Sequence, residues 1–159
     1  MRALNQINSL KHTLTLGLAT IASLVFSISA NALDFRSVAA AKVVVYDAPS
    51  VEATKLYILN AGYPVEIIVD LSDWLKVRDQ QGGLSWIQSK YLSAKRMVLV
   101  TEKTDIKATE DANATLLAIV EKDVTLELIS PNVSYGWVKV KHRDGVIGFV
   151  QASALWGLN

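Results

Sequence analysis

Trp74-Leu75-Lys76-Val77-Arg78, then Gly82, Trp86-Ile87 and Leu92, return later in the chain as Trp137-Val138-Lys139-Val140, then Gly145, Phe149-Val150 and Leu155. Each matched pair is 63 residues apart, from Trp74 to Trp137 through Leu92 to Leu155, with no gap. A self-match of this length means two copies of one supersecondary unit, so the fold is read per repeat. Working outward, Asp105–Ala108 matches Val45–Ala48 at an offset of 60, and Thr115–Ile119 matches Lys55–Leu59 at the same offset. Val124–Ile129 matches Tyr63–Ile68 at 61. The drift from 60 to 63 predicts two extra residues in the loop 130–136, where an insertion costs little.

Within a repeat, β-branched runs alternate with turn signals, and helical periodicity is hard to find. The pattern predicts strands at Val43–Tyr46, Lys55–Leu59, Tyr63–Val69, Trp74–Arg78 and Leu84–Gln88. Asp47-Ala48-Pro49-Ser50 breaks the first, because Pro49 lacks a ladder donor and Asp47 and Ser50 favour turns. Gly62 is placed where a turn can use positive φ. Asp79–Gly83 reads as a hairpin connection and Ser89–Leu92 as a closing turn. Lys95–Val100 reads as the join, without a Pro- or Gly-rich linker, so the units are expected to pack closely. Five short strands per unit predict an all-β fold of two strongly bent antiparallel barrels, whose closure would remove exposed edges.

The first 32 residues carry Arg2 and Lys11 as their only charges, then an apolar run over Leu14–Ile28, then Ala30-Asn31-Ala32. A basic start, an apolar middle and small residues at the cleavage positions predict a signal peptide over 1–32, helical in its apolar part and cut after Ala32. The apolar run falls short of the roughly 20 residues that a bilayer core needs. The sequence therefore predicts a periplasmic or secreted protein, not an integral membrane protein after cleavage. Its units are expected at 33–94 and 95–159. Without Arg2 and Lys11, the 16 basic residues fall to 14 against 15 acidic ones. A net charge of −1 with no basic stripe excludes a nucleic-acid binder. There is no Cys, so stability must come from the cores alone. A unit this small buries only about 60% of its unfolded surface, which favours pairing two of them.

Reactive chemistry finds no constellation. His142, the only His after the leader, sits beside Lys141, Arg143 and Asp144 and reads as a solvated turn residue. With no Cys and no second His, no zinc or copper set can form. Asp79 and Asp144 occupy the same hairpin of different repeats and read as turn formers, not as a converging acid–base pair. No Ser lies in a nucleophile elbow, and no Gly-rich phosphate loop is present. The sequence predicts no enzyme, no cofactor and no metal.

Trp74-Leu75-Lys76-Val77-Arg78, Gly82-Gly83, Trp86-Ile87 and Lys90-Tyr91-Leu92 resemble the bacterial SH3-like domain pattern, and Trp137–Val140, Asp144-Gly145, Gly148-Phe149-Val150 and Leu155 resemble it again. The resemblance spans nearly all of 34–156. It implies two tandem SH3-like β-barrels and a non-enzymatic binding module. Val45-Tyr46-Asp47-Ala48-Pro49-Ser50 and Gly62–Glu66 look like a subgroup of exported bacterial proteins built of such domains. Tyr46, Trp74 and Tyr91 sit where SH3 domains place the aromatics of their peptide groove. The resemblance thus implies a surface for peptidoglycan or an envelope peptide in the first repeat. In the second, Lys107 replaces Tyr46 and Ala154 replaces Tyr91, and only Trp137 remains. The alternative is a structural adaptor for an envelope partner, with Trp74 and Trp137 packed away. Trp86 and Phe149 are expected in the cores. Trp156 is expected to pin the C-terminus or fill the seam between the repeats. The charges from Glu102 to Asp111, Lys103, Asp105 and Lys107 among them, read as a solvated face.

Overall fold

The computed structural model describes residues 33–158, and the expected leader lies outside them. The first repeat contains β1 (Phe35–Val38), β2 (Lys42–Tyr46), β3 (Lys55–Asn60), β4 (Pro64–Asp70), β5 (Trp74–Arg78), β6 (Leu84–Gln88) and β7 (Leu92–Ser93). The second contains β8 (Met97–Val100), β9 (Thr104–Lys107), β10 (Leu116–Val120), β11 (Thr125–Leu128), β12 (Trp137–Lys141), β13 (Ile147–Gln151) and β14 (Leu155–Trp156). Single 3-10 turns, Ser89–Tyr91 and Ala152–Ala154, precede the last strand of each. The protein is all-β, with two seven-stranded antiparallel sheets of the same order, β3-β2-β6-β5-β4-β1-β7 and β10-β9-β13-β12-β11-β8-β14. These are two tandem SH3-like units.

The duplication is more regular than the sequence offsets imply. Tyr46 faces Trp86 across β2 and β6, and Lys107 faces Phe149 across β9 and β13, so Tyr46 and Lys107 correspond at an offset of 61. Asp47 N–H donates to the Thr54 carbonyl, and Ala108 N–H donates to that of Thr115, again at 61. The offset of 60 is therefore one residue short: it aligned look-alike side chains where the ladder aligns backbones. β1, β7, β8 and β14 also lie outside the five strands expected per repeat. Phe35 pairs with Glu66 and Met97 with Glu127, so Met97–Val100 is the first strand of the second sheet and not part of a join. Only residues 94–96 separate β7 from β8.

Alternation fills each core. Val43, Val45, Val65, Leu75, Val77 and Ile87 are buried in the first sheet. Val98, Val100, Ile106, Leu126, Val138, Val140 and Val150 are buried in the second. Successive side chains point to opposite faces, so burying Ile87 turns Trp86 outward, and burying Val150 turns Phe149 outward. Both aromatics are half-buried. The expectation that they are core residues is corrected by that parity.

A seam joins the repeats. Trp156 of β14 meets Phe35 of β1 edge to face at 5.1 Å, and lies 6.4 Å from the Tyr63 ring. The Arg96 guanidinium stands 5.8 Å from the centre of Phe35 and donates to the carbonyls of Gly157 and Leu158. The Met97 N–H donates to the buried Ser37 Oγ at 3.2 Å. Of the two places foreseen for Trp156, the seam is the one it takes.

Candidate functional site: the outward aromatic face of the first repeat

Ladder register builds this face. Tyr46 on β2 is opposite Trp86 on β6, Trp86 is opposite Lys76 on β5, and Trp74 is opposite Gln88. All five side chains are half-buried and share the outer side of the sheet, because their neighbours Val45, Leu75, Val77 and Ile87 point in. The Tyr46 and Trp74 rings meet edge to face at 5.5 Å and 84°. The Lys76 ammonium stands 5.9 Å from the centre of the Trp86 ring. Edge-to-face pairs of this kind contribute about 0.5–1.5 kcal/mol beyond burial, and they hold both rings in one orientation before any ligand arrives.

Tyr91 is placed differently. It closes the 3-10 turn, its ring is half-buried against the first core, and the Lys90 ammonium lies 5.0 Å over it. Its carbonyl accepts from the Ala39 N–H at 2.8 Å. It makes no ring contact with Tyr46 or Trp74 among the described residues. The structure thus brings together two of the three residues expected in the groove and adds Trp86 and Lys76. The alternation Ser85-Trp86-Ile87-Gln88 was the available signal for Trp86.

Hydrogen bonds fix the loops beside this face. Asp47 Oδ1 accepts from the Thr54 N–H at 3.0 Å, which closes the loop after β2. Asp79 Oδ1 accepts from Gln81 N–H and Gly83 N–H, and Oδ2 accepts from the Tyr57 hydroxyl at 2.8 Å. Asp79 is the turn former its position suggested. Burial raises the Tyr57 pKa, and the neighbouring Asp79 carboxylate adds to the rise. Burial raises Tyr63 as well; its hydroxyl accepts from the Gln80 N–H.

The second repeat presents a different surface. Lys107 stands in the place of Tyr46, and its ammonium is 3.2 Å from Asp105. The Lys107 side chain is only 15% exposed, so it does not belong to a solvated face. Trp137 is buried, and Lys139 stands 5.8 Å from the Phe149 ring as Lys76 does over Trp86. His142 is likewise sheltered, at 17% side-chain exposure, with Nδ1 accepting from the Asp144 N–H. Its neighbours in sequence are polar, but the fold covers its ring. Among the described residues, no three His, Cys, Asp or Glu side chains converge on a metal position. No described helix is long and apolar enough to cross a membrane.

Two sheets of one order, each with aromatic or cationic groups on its outer face, define a tandem SH3-like architecture. A family model described as bacterial SH3 domain matches residues 39–94 and again 108–157. The chain belongs to the bacterial SH3 domain family, whose members are generally binding modules. Among solved structures, NlpC2 from Trichomonas vaginalis is similar at 17% identity and a TM-score of 0.37, over 79% of this chain and 48% of that one. NlpC1 from Trichomonas vaginalis is similar at 18% and 0.37, over 81% of this chain and 47% of that one. An NlpC/P60 family protein from Bacillus cereus ATCC 10987 is similar at 14% and 0.35, over 77% and 56%. The chain therefore spans about half the length of these proteins. No curated protein matches it.

Proposed function

We propose that this protein is an exported, non-enzymatic binding module of the bacterial cell envelope. It recognises peptidoglycan or an envelope peptide through the aromatic face of its first SH3-like unit. The observation that carries this reading is the Tyr46–Trp74 pair, half-exposed and locked edge to face beside Trp86. Aromatic rings supply large contact area at low entropy cost, and the Tyr46 hydroxyl and Trp indole N–H orient a polar ligand. In this reading Tyr91 contributes from the closing turn, apart from the Tyr46–Trp74 pair. Export rests on the leader pattern over 1–32. The test is co-sedimentation with purified sacculi. The parent protein is expected in the pellet, and a folded Trp74→Ala, Tyr91→Ala double variant is expected to lose at least about ten-fold in affinity, the scale of one hot-spot aromatic. Equal sedimentation of the two would remove the site.

A second reading, an adaptor for an envelope protein, is favoured by one observation. β10 is an edge strand, and its Leu116, Leu117 and Ile119 are exposed. A pull-down that returns one partner from a protein without affinity for sacculi would favour it.

A further inference from the structure

Between the repeats lies a cleft of about 670 Å³ whose two walls differ in chemistry. The wall from the first repeat is small and neutral, built of Ser37–Ala39 and the Ala61-Gly62 corner. The wall from the second carries Lys141, His142 and Arg143 at the end of β12, with Glu127 and Lys95 beside them.

The duplication shows what is unusual here. In the first repeat Arg78 lies opposite Glu66, and the two form a bidentate pair at 2.8 and 2.6 Å. In the second, Lys141 lies opposite Glu127 in the same register. Yet Glu127 is held by Lys95 at 2.9 Å, from the short segment between the sheets. Among the described residues, Lys141 has no carboxylate within ion-pairing distance. Arg143 reaches only Asp144, at 3.8 Å and in full solvent. The structural cation of the first repeat has become a spare one in the second, and it faces a cleft with room for a ligand. Sites of this kind favour the boundary between two units.

We infer that the cleft between the repeats binds a short zwitterionic peptide, with Lys141 and Arg143 receiving its carboxylate and the second oxygen of Glu127, whose Oε2 holds Lys95, receiving its ammonium. Lys95 contacts only one oxygen of Glu127, so a compact polyanion would meet the other oxygen as well as the cations, whereas a peptide satisfies both signs. None of these residues belongs to the aromatic face, so the inference stands apart from it.

Amide chemical-shift mapping on the protein tests it. The probes are a synthetic tetrapeptide with one glutamate, one lysine and free termini, its C-terminally amidated form, and inorganic phosphate. The free peptide is expected to shift Gly62, Thr125 and the 141–143 amides. Amidation and Lys141→Ala are each expected to weaken it about five-fold, the most an exposed ion pair supports. Lys141 is exposed at a strand end, so the variant keeps the fold. A Tyr46→Ala, Trp74→Ala variant is expected to bind this peptide unchanged. Phosphate binding as tightly as the peptide would overturn the peptide assignment. Peptide shifts that avoid the cleft, or survive Lys141→Ala with Arg143→Ala, would overturn the site.

Discussion

Gly62 and Asp123 turn the same corner in the two repeats. Each has positive φ, 82° and 67°, and each N–H donates to the carbonyl of the preceding first strand, Val38 or Val100. Asp tolerates that conformation better than most residues, which is how the second repeat dispenses with glycine. At Gly62 a further constraint acts, because an added Cβ would lie 3.1 Å from Thr125 Oγ1 across the seam. Gly62→Ala is therefore expected to cost about 1–2 kcal/mol in urea unfolding, from the left-handed backbone and the close approach together. An unchanged midpoint would mean that the corner relaxes freely. The tyrosines give a second residue-level test. The pKa of Tyr57 and that of Tyr63 are raised, in each case mainly by burial. A folded pKa above the unfolded one contributes stability that is complete below about pH 10 and is lost as pH rises through the folded value. Spectrophotometric titration should show Tyr57 and Tyr63 ionising late, together with alkaline unfolding. Substituting Tyr57→Phe should remove one late step.

At the scale of the strand, parity decides most of the outcome. The sequence read Trp74–Arg78 and Leu84–Gln88 as strands at the observed limits, because alternation and turn residues agree there. It missed β1, β7, β8 and β14. Ser37 is a buried polar residue that looks like a loop residue in sequence, and Val98–Val100 is buried in a run of three behind the half-buried Met97, which carries no alternation to read. For Trp86 the neighbours, polar on one side and apolar on the other, suggest an inward position, while the parity of the strand puts it outside. The edge strands β3 and β10 carry the opposite surprise: Ile58 and Ile119 are 55% and 54% exposed. Exposed apolar edges template association. An Ile58→Lys, Ile119→Lys variant is expected to be less prone to aggregate in light scattering, with stability within about 0.5 kcal/mol of the parent per site. Leu75→Ala, which empties a fully buried position, should cost about 2–5 kcal/mol. If the edge variant unfolds as readily as the core variant, these strands are not free edges.

For the whole molecule, the repeat was legible because it is written in strongly patterned positions: Trp, Lys, Gly and the paired apolar residues. Of the seam, the place of Trp156 was legible but its partners were not, since Phe35, Arg96 and Trp156 meet only through the relative placement of two folded units, which no local pattern encodes. The same holds for the face formed by Tyr46, Trp74 and Trp86, whose members come from three strands and are joined by register. Collisional quenching of tryptophan fluorescence by acrylamide, with and without soluble sacculus fragments, tests that face directly. Trp137 is buried and should be silent, whereas Trp74 and Trp86 should quench in the free protein and become protected as fragments bind. Quenching that fragments leave unaltered at saturating concentration, in a protein that nevertheless binds them, would contradict the assignment of recognition to this aromatic surface.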